Sequence, residues 1–335
     1  LIAVQEYIKK QFPNIKFLFV GTYSGPEKQA VESYKIVFKA IASGRLRRYF
    51  SWRNITDPFL VIWGFLQSLV ILIKFKPSVV MIAGAFVGVP VAWAAWLLGI
   101  PVVIHQQDIL PGLANKLMQR VAKRITVSFD ISLNDYLQSK VVLTGNPVRE
   151  EFLSCDLQHS RDFFNLKSDL PVLLVLGGGT GAQIINESIV KALAELLQFC
   201  QVIHITGKGK AIRVEAENYH QFEFLSHEMP DALCAADVVV SRAGLSTLTE
   251  LIAMAKPTIL VPIPGHQEDN ALFFQKNNAV TSISQDAFNS ELIISLVKDI
   301  MFDKARKDNL SRNISKMMEV GGAEKVAAIL LSVAK

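Results

Sequence analysis

Residues 237–271 contain the pattern that most restricts how this chain can fold. An apolar run at 238–240 stops at a small polar turn, 241–244, a helical stretch follows, and a second apolar run occupies 258–262. This order of strand, glycine turn, helix and strand within a short stretch predicts two parallel strands joined by a right-handed crossover. The pattern therefore predicts an open parallel sheet with helices on its faces.

The same stretch predicts a nucleotide site. In open parallel sheets, ligands bind at the carboxyl ends of the strands, and helix N-termini there attract phosphate. We expect Ser246 or Thr247 to cap the helix that follows Gly244, and Glu250 to lie in its first turn. From there, the carboxylate of Glu250 could accept hydrogen bonds from both hydroxyls of a ribose.

Strand-like and helix-like segments alternate along the chain. The strand candidates are 17–20, 79–83, 101–105, 124–127, 140–143, 172–176, 201–206, 222–224, 238–240 and 258–262. This alternation predicts an α/β protein with two Rossmann-like domains, whose parallel sheets face each other across a cleft. Glycine and proline at 145–147 favour a hinge there. We expect domains at 1–148 and 149–319, with the last helix, 320–335, packing back on the first domain.

Length and composition also indicate a folded two-domain protein. The chain has 335 residues, of which 50% are apolar and 19% charged, so a disordered chain is excluded. Lysine and arginine exceed aspartate and glutamate by only 35 − 30 = 5. Cys155, Cys200 and Cys234 show neither paired nor metal-type spacing. We therefore expect reduced thiols in a cytosolic protein, and no metal site.

One apolar segment raises the question of a membrane span. Residues 78–104 carry no charge over a length that could span a bilayer. Glycines and prolines interrupt the segment, which favours a strand, a helix and a strand instead. Residues 1–10 resemble a helix without the basic region of a signal peptide. Because a doubly wound domain normally opens with a strand and a glycine turn, we expect the given sequence to begin inside its first βα unit.

A triple-glycine turn predicts a phosphate contact in the second domain. Residues 177–182, GGGTGA, follow a predicted strand and open a helix. Glycines there let backbone N–H groups approach an anion, and the helix dipole adds partial positive charge. Tight packing is the alternative role, but the strand-to-helix position favours phosphate. Gly207 and Gly209 end another strand and again indicate close backbone approach.

The first domain has candidates at matching positions. The turn 84–90 either contacts an acceptor or only makes a close turn, and the residues leave both roles open. His105 ends a predicted strand, where a histidine is more often a hydrogen-bonded scaffold residue than a catalyst. Asp108 comes next, and Asn115 lies in a helix start that points to the same rim. Arg149, beside the hinge, either pairs with a pyrophosphate or is a surface charge.

Basic and aromatic residues are interleaved at 45–76, where Asp57 is the single acid. This combination favours a surface that lies in an anionic membrane interface, and a buried helix with an ordinary basic rim is the alternative. The helix at 58–75 is expected to be too short and too interrupted to span a bilayer. No nucleic-acid-binding motif accompanies the patch, so we expect no nucleic-acid partner.

Eight short stretches of the chain carry a family resemblance. They are GTYSGPE at 21–27, GAFVGVP at 84–90, HQQDILPGLANK at 105–116, GNPVR at 145–149, GGGTGAQIIN at 177–186, HITGKG at 204–209, SRAGLSTLTEL at 241–251 and HQEDNA at 266–271. In this order they resemble the MurG family, the glycosyltransferases that complete the lipid-linked precursor of bacterial peptidoglycan. One such match is weak, whereas eight in order are specific. The resemblance covers essentially the whole chain.

The resemblance implies a GT-B fold and transfer of N-acetylglucosamine from UDP-N-acetylglucosamine, with inversion and without a required metal or other cofactor. The acceptor would be the C4 hydroxyl of the muramoyl sugar in undecaprenyl-linked lipid I, giving lipid II. The enzyme would be peripheral at the cytoplasmic face of the bacterial cell membrane. A relative that glycosylates another lipid, such as diacylglycerol, and an inactive nucleotide-sugar-binding paralogue are the alternatives.

The resemblance also carries over site residues by position. Glu250 would hold the uridine ribose, and Leu225 would pack beside the base. The other donor contacts would be Arg149, Gly178, Gly179, Thr180, Gly181, Gly244, His266 and Gln267. Catalysis would use His105, Asp108 and Asn115, and the acceptor loop would include Gly84, Phe86 and Gly88. Trp96 matches a family position on a membrane-facing apolar patch. The basic and aromatic stretch at 45–76 adds Arg47, Arg48, Tyr49, Phe50 and Trp63 to the expected membrane surface.

The chain departs from the family pattern at four places. It lacks the opening GGTGGH loop, whose histidine is often assigned to the base or to the acceptor site. Gln106 replaces the usual Glu, Asp108 replaces Asn, and residues 179–180 are Gly-Thr instead of Ser-Gln. We therefore expect nucleotide binding by the chain as given, but transfer only by the product of the intact gene.

Overall fold

The computed structural model describes residues 1–25, 27–44, 53–178 and 181–334. Six predicted site residues lie outside the described residues: Arg47, Arg48, Tyr49, Phe50, Gly179 and Thr180. The chain divides into two units, Leu1–Arg149 with Glu319–Lys335, and Glu150–Met318. The division lies beside the boundary expected between 148 and 149.

The first unit alternates helices with parallel strands. Its strands are β1 (Leu18–Thr22), β2 (Val37–Ile41), β3 (Val80–Ile82), β4 (Val102–Gln106), β5 (Arg124–Val127) and β6 (Val141–Leu143). Its helices are α1 (Ile2–Gln11), α2 (Glu27–Ser33), α3 (Arg53–Phe75), α4 (Gly88–Leu97) and α5 (Leu113–Met118), with a 3₁₀ helix at Asp130–Asp135. Helical crossovers of this kind allow consecutive strands to pair in parallel.

The second unit repeats the alternation. Its strands are β7 (Val172–Leu176), β8 (Gln201–Ile205), β9 (Tyr219–Phe222), β10 (Val238–Ser241), β11 (Thr258–Leu260) and β12 (Thr281–Ser282). After a 3₁₀ helix at Glu150–Leu153, its helices are α6 (Leu157–Phe163), α7 (Gln183–Leu196), α8 (Met229–Ala235), α9 (Leu245–Ala253), α10 (His266–Lys276), α11 (Ser290–Phe302) and α12 (Lys304–Ser315). The chain then returns to the first unit in α13 (Gly322–Val333).

The described strand pairs are all parallel, which confirms the predicted α/β class. In the first unit, β1 pairs with β2, and β3, β4, β5 and β6 form a second sheet in that order. In the second unit the order is β12-β11-β10-β7-β8-β9. Because β7 comes first and later strands are added on one side and then on the other, a topological switch point lies between β7 and β10.

The central strands are buried on both faces, as parallel sheets require. Every residue of β4, β7 and β8 is buried. Helix α7 packs Ile185 and Ile189, one turn apart, into the core of the second unit. In the first unit, α1 and α13 pack together, and their apolar residues enclose Val103 of β4. The closing helix therefore lies against the first unit.

Helix α3 is continuous over 23 residues. Among the described residues, its Asp57–Phe75 stretch is the one helix that is long and apolar enough to cross a membrane by length and composition alone. The expectation that 58–75 is too short and too interrupted was therefore wrong, because Pro58 lies near the start of the helix and does not end it. Only 17% of the stretch is buried, with Leu72 in the core. Residues 78–104 form β3, α4 and β4, which confirms the predicted interruption.

Three strands differ from the sequence prediction by more than two residues at an end or were not predicted at all. Strand β2 was not predicted, because its alternating exposure and Lys39 hide a half-buried edge strand. Strand β9 covers Tyr219–Phe222 instead of 222–224, since His220 and Gln221 broke the apolar run. Strand β12 has two residues, too few to leave a periodic signal.

The expectation of reduced cysteines was wrong for two of the three. Cys155 and Cys234 form a disulfide with a Cα–Cα distance of 5.5 Å, across a sequence separation of 79. Packing of α6 against α8 brings the two residues together. Because that packing is long-range, no local spacing could indicate the pair. Cys200 is free and buried.

Candidate functional site

The switch point brings the triple-glycine turn beside the turn that contains Gly244. Leu176 at the end of β7 and Ser241 at the end of β10 are partners in register. The described residues that follow, 177–178 and 242–244, therefore leave the same edge of the sheet next to each other. In open α/β sheets this edge is where ligands bind.

The turn after β7 has backbone conformations that favour glycine. Gly178 and Gly181 have φ values of +78° and +68°. A Cβ at Gly178 would meet no described atom within 4 Å, whereas one at Gly181 would lie 2.0 Å from the Thr206 carbonyl oxygen. Gly178 thus leaves room for a ligand, and Gly181 lets two loops approach closely. Because α7 begins at Gln183, its free N–H groups open onto this turn.

Helix α9 begins directly after Gly244, which is its N-cap. The expectation that Ser246 or Thr247 caps the helix was wrong, because the extended backbone of a cap already occurs at Gly244 (φ −76°, ψ 133°). Glu250 consequently lies in the second turn and is half-buried. A Cβ at Gly244 would meet no described atom within 4 Å, so this turn also has room for a ligand.

A buried asparagine ties α10 to the same turn. Asn270 donates from Nδ2 to the Ala243 carbonyl at 3.0 Å. The bond holds the start of α10 beside the β10–α9 turn. His266 at this start is exposed, and Gln267 accepts from the Ile263 N–H at 3.2 Å. The structure therefore gathers at one sheet edge Gly178, Gly181, Gly244, Glu250, His266 and Gln267.

A buried histidine that was not predicted as a site residue lies behind the glycine turn. The ring nitrogens of His204 in β8 lie 3.1 Å from Asn186 Oδ1 and 2.9 Å from Tyr219 Oη. Asn186 also donates to the Thr206 carbonyl at 2.9 Å, the same oxygen that Gly181 approaches. Burial lowers the pKa of His204 to about 4, so its ring is neutral. The HITGKG motif marks this strand end, but only the fold shows the histidine pointing inward.

Leu225 follows β9, with 6% of its surface exposed. Its neighbour Phe224 is half-exposed, and the ammonium of Lys208 lies 4.9 Å from the centre of that ring. The N–H groups of Gly207 and Gly209 donate to Glu223, at 3.0 Å to its carbonyl and 2.7 Å to its carboxylate. The loops after β8 and β9 are thereby joined, and they hold the segment predicted to contact a base.

In the first unit, His105 at the end of β4 is enclosed. Its Nδ1 lies 2.8 Å from Thr126 Oγ1, and its Nε2 lies 2.9 Å from Asn146 Oδ1. Burial lowers the pKa of His105 to about 4. With 1% of the residue exposed and both nitrogens in hydrogen bonds, the ring does not reach a substrate in this conformation. The structure favours the scaffold role for His105 over the catalytic one.

Gln106 forms the centre of a second buried network. Its Oε1 accepts from Asn115 Nδ2 and, at 3.0 Å, from Tyr136 Oη. Its Nε2 donates to the carbonyls of Asp108 at 2.7 Å and Leu110 at 2.9 Å. A carboxylate could not replace this amide without loss, because it has no N–H to donate. Asn115 is buried, whereas Asp108 is exposed, so of the three predicted catalytic residues only Asp108 faces solvent.

The predicted acceptor loop joins β3 to α4. Gly84 has a φ of +73°, and a Cβ there would meet no described atom within 4 Å. At Gly88, by contrast, a Cβ would lie 2.4 Å from Ile82 Cγ2, so this glycine allows the helix to pack closely on the strand. Phe86 packs against the core of the first unit. Gly84 therefore fits acceptor contact, and Gly88 fits a close turn.

Arg149 and the two tryptophans of the predicted membrane surface lie elsewhere in the first unit. Arg149 donates to Tyr34 Oη at 3.2 Å, and it belongs to the first unit instead of the predicted donor domain. Trp63 on α3 and Trp96 on α4 are 56% and 54% exposed. Because α3 and α4 pack against each other, the two rings stand on neighbouring helices.

Two α/β units with parallel sheets, one of them with a glycine-rich site at its switch point, have the architecture of the GT-B fold. The glycosyltransferase family 28 N-terminal domain matches residues 1–127, and the family 28 C-terminal domain matches residues 172–326. The chain belongs to glycosyltransferase family 28.

Named relatives cover nearly the whole chain. A UDP-N-acetylglucosamine--N-acetylmuramyl-(pentapeptide) pyrophosphoryl-undecaprenol N-acetylglucosamine transferase of Clostridium perfringens is 41% identical over 90% of this chain and 86% of its own length. The protein of the same name from Legionella pneumophila is 37% identical over 98% of this chain and 92% of its own.

Solved structures share the fold at lower identity. The crystal structure of Acinetobacter baumannii MurG aligns with a TM-score of 0.75 and 23% identity, over 99% of this chain and 94% of its own. A UDP-GlcNAc 2-epimerase from Neisseria meningitidis, solved with UDP-GlcNAc bound, aligns with a TM-score of 0.69 and 15% identity, over 98% of this chain and 95% of its own.

Proposed function

We propose that this chain transfers N-acetylglucosamine from UDP-N-acetylglucosamine to the C4 hydroxyl of the muramoyl sugar in lipid I, forming lipid II. One observation supports this proposal most directly. Three features lie together at the β7/β10 switch point: the turn with Gly178 and Gly181, the N-terminus of α7, and helix α9 with Glu250. The relatives at 41% and 37% identity are named for this transfer.

In this proposal the second unit holds the donor. The diphosphate lies against the open backbone at Gly178 and the start of α7, where N–H groups and the helix dipole stabilise negative charge. The carboxylate of Glu250 accepts hydrogen bonds from the two ribose hydroxyls. The base packs by Leu225, and the sugar contacts His266 and Gln267.

An inverting displacement needs a base for the acceptor hydroxyl and positive potential around the departing UDP. Backbone amides and the α7 dipole supply that potential, so the proposed reaction needs no metal and no other cofactor. The acceptor oxygen attacks the anomeric carbon from the side opposite UDP while its proton passes to the base. The C–O bond to the diphosphate breaks, and UDP leaves with the bonding electron pair. In the first unit, His105 and Gln106 position the acceptor segment from within the core, and Asp108 faces the acceptor.

The proposal also places the first unit on the cytoplasmic face of the bacterial cell membrane, as a peripheral protein. The exposed apolar side of α3, together with Trp63 and Trp96, supports contact with the membrane interface. We propose a lipid surface, and no nucleic acid, as the macromolecular partner.

The transfer proposal is tested on the product of the intact gene, with labelled UDP-N-acetylglucosamine and lipid I in detergent, with and without a metal chelator. It predicts labelled lipid II in both arms. A label on diacylglycerol, offered as a competing acceptor, would instead support the related lipid glycosyltransferase. Binding of UDP without any labelled product would support the inactive alternative.

The membrane proposal is tested by binding to vesicles that contain phosphatidylglycerol. Trp63→Ala with Trp96→Ala is expected to weaken vesicle binding and to leave the affinity for UDP unchanged. Phe302→Ala is the matched control, because this ring is also exposed (60%) but lies in the second unit. Equal vesicle binding by the double variant and the parent would contradict the membrane surface.

A further inference from the structure

The disulfide of the second unit joins an exposed cysteine to a buried one. Cys155 is exposed, whereas Cys234 in α8 has 4% of its surface exposed. The proposed function places this protein at the cytoplasmic face of the membrane, where small thiols keep most cysteines reduced and disulfides are mainly catalytic or redox-sensing. Exposed bridges are also the ones that exchange readily with thiols. The bridge therefore needs an explanation beyond stability.

The bridge holds the N-terminal end of α6 on α8. Cys155 directly precedes Asp156, the N-cap of α6, whose carboxylate accepts from the His159 N–H at 3.0 Å. A hydrogen bond continues the contact between the two helices, because Ser160 donates to Asp231 Oδ1 at 2.8 Å. The covalent link thus lies at the point where the chain enters α6.

The C-terminal end of α6 has supports of its own. The rings of Phe164 and Phe222 lie edge to face, with centres 5.4 Å apart. Arg161 donates to the Lys167 carbonyl at 2.7 Å and lies 3.8 Å from the Asp237 carboxylate. Opening the bridge therefore loosens the start of α6 and leaves its end in place.

The segment just before Cys155 supports the helix that carries Glu250. The 3₁₀ helix at Glu150–Leu153 packs against α9, and its Phe152 is 1% exposed. Only Ser154 separates this 3₁₀ helix from the bridge. A loosened Cys155 thus removes a restraint from the packing behind α9. The bridge is thereby coupled, through contacts within the second unit, to the ribose end of the proposed donor site.

We propose that Cys155 and Cys234 form a reversible redox switch, which holds the Glu250 helix in its UDP-binding position when oxidised and loosens it when reduced. In oxidation, the Cys155 thiolate attacks a small-molecule disulfide, such as oxidised glutathione, and expels one small thiolate. The Cys234 thiolate then attacks the Cys155 sulfur and expels the second. The two protons of the protein thiols pass to the small thiolates, so one small disulfide becomes two small thiols. Excess small thiol reverses both steps.

The third cysteine stays outside this exchange. Cys200 is free and buried, and its thiol lies 3.2 Å from the Leu196 carbonyl oxygen. Burial raises the pKa of Cys200 to about 12. Because the thiolate is the reactive form, Cys200 remains an unreactive thiol and serves as the internal reference when thiols are counted.

Hydrogen exchange without any ligand tests the switch itself. The protein is equilibrated with oxidised glutathione or with dithiothreitol, and alkylation in denaturant followed by mass spectrometry counts the thiols. We expect one free thiol in the oxidised state and three in the reduced state. Amides of 150–158 should exchange about tenfold faster after reduction, and those of β9 should not change.

Cys155→Ser is the matched control, because the position is exposed and a serine there adds no buried polar group. Its 150–158 amides should exchange fast in both buffers. Equal exchange by the two states of the parent would leave the bridge as a static cross-link and would overturn the switch. Three free thiols after treatment with oxidised glutathione would overturn it as well.

Calorimetric titration with UDP tests the coupling to the donor site, and this arm rests on the proposed function. We expect reduction to weaken UDP binding by the parent about threefold, because the competent position of α9 is then only partly populated. Cys155→Ser should bind equally in both buffers. In Glu250→Gln, which lacks the ribose contact, reduction should change the affinity less than in the parent.

Equal UDP affinity of the two parent states would overturn the regulation of the donor site. An oxidised parent that binds no UDP would instead contradict the proposed donor site. The exchange measurement needs no UDP and still decides whether the cysteine pair loosens 150–158. Failure of the switch and failure of the proposed function are therefore distinguishable.

Discussion

Each unit contains a buried, neutral histidine in an inner strand, yet the two histidines support different parts of the molecule. His105 and His204 each approach an amide oxygen with one ring nitrogen and a hydroxyl with the other. Burial lowers the pKa of both to about 4. The two networks therefore have the same chemistry.

The difference lies in what the amide partner holds. In the second unit, Asn186 reaches the Thr206 carbonyl, against which the glycine turn packs. In the first unit, Asn146 lies beside the start of α13, where a Cβ on Gly322 would be 2.7 Å from the Asn146 backbone. The His204 network therefore supports the glycine turn of the proposed donor site, and the His105 network holds the start of α13. A buried histidine at a strand end thus indicates a residue that holds other segments in place. Which segment it holds depends on its asparagine partner.

Gly181→Ala is expected to break the second network most severely. The residue has a φ of +68°, and its new Cβ would lie 2.0 Å from the Thr206 carbonyl oxygen, so the backbone must move. We expect a loss of about 3 kcal/mol in the free energy of unfolding of the second unit, together with loss of UDP binding. Urea unfolding and calorimetric titration with UDP measure the two effects.

Gly178→Ala is the control for Gly181→Ala. Its φ is also positive, at +78°, but no described atom lies within 4 Å of the added carbon. We expect a loss of only about 1 kcal/mol in stability. Comparable losses in the two variants would contradict the close approach between the glycine turn and Thr206.

Acid should weaken both networks. Because burial depresses the pKa of each histidine from 6.5 to about 4, the unfolded chain binds protons more readily than the folded one in this range. Stability is complete above pH 6.5 and falls as the pH drops toward 4, by up to about 3 kcal/mol for each histidine. Urea unfolding over this pH range measures the fall. In His204→Gln the fall should become shallower in the second unit only, and an unchanged slope would contradict the account.

Glu250→Gln separates ligand contact from loop positioning in the second unit. Loss of the charged acceptor for the ribose hydroxyls is expected to weaken UDP binding about tenfold, roughly 1.5 kcal/mol, with stability nearly unchanged. Calorimetric titration with UDP checks this. Glu195→Gln, at an exposed position of α7, is the matched control. Equal UDP affinity in Glu250→Gln and the parent would remove Glu250 from the site.

Gln106→Glu tests positioning in the first unit. The new carboxyl would face the carbonyls of Asp108 and Leu110, so its pKa should rise. An acid with a raised folded-state pKa contributes stability at low pH that is lost as the pH rises. We expect this variant to be about 1 kcal/mol less stable than the parent at pH 8, and closer to it at pH 5. A deficit that is the same at both pH values would argue against the two carbonyl contacts.

The sequence was sufficient to predict the parallel α/β units and the two glycine turns, because these depend on local patterns of apolar runs and small residues. Their meeting at one sheet edge follows from strand order, and the rule for open α/β sheets anticipated it. The local pattern supplied Glu250, and the family resemblance supplied the 266–271 segment. Asn270 explains why that segment lies beside the β10–α9 turn.

Other features depend on contacts between distant segments, which local patterns do not show. The Cys155–Cys234 disulfide joins residues 79 apart, and the Asn146 partner of His105 lies 41 residues along the chain. The cap of α9 was misplaced because glycine also serves at that position, where a hydroxyl was expected. Strand β2 was missed because an edge strand needs only a half-apolar pattern.

A crystal structure of the protein with UDP bound tests the central claim most directly. The account predicts the diphosphate against the backbone of Gly178 and the start of α7, and both ribose hydroxyls within hydrogen-bond distance of the Glu250 carboxylate. Electron density for UDP at any other edge or surface of the molecule, with this sheet edge empty, would contradict it.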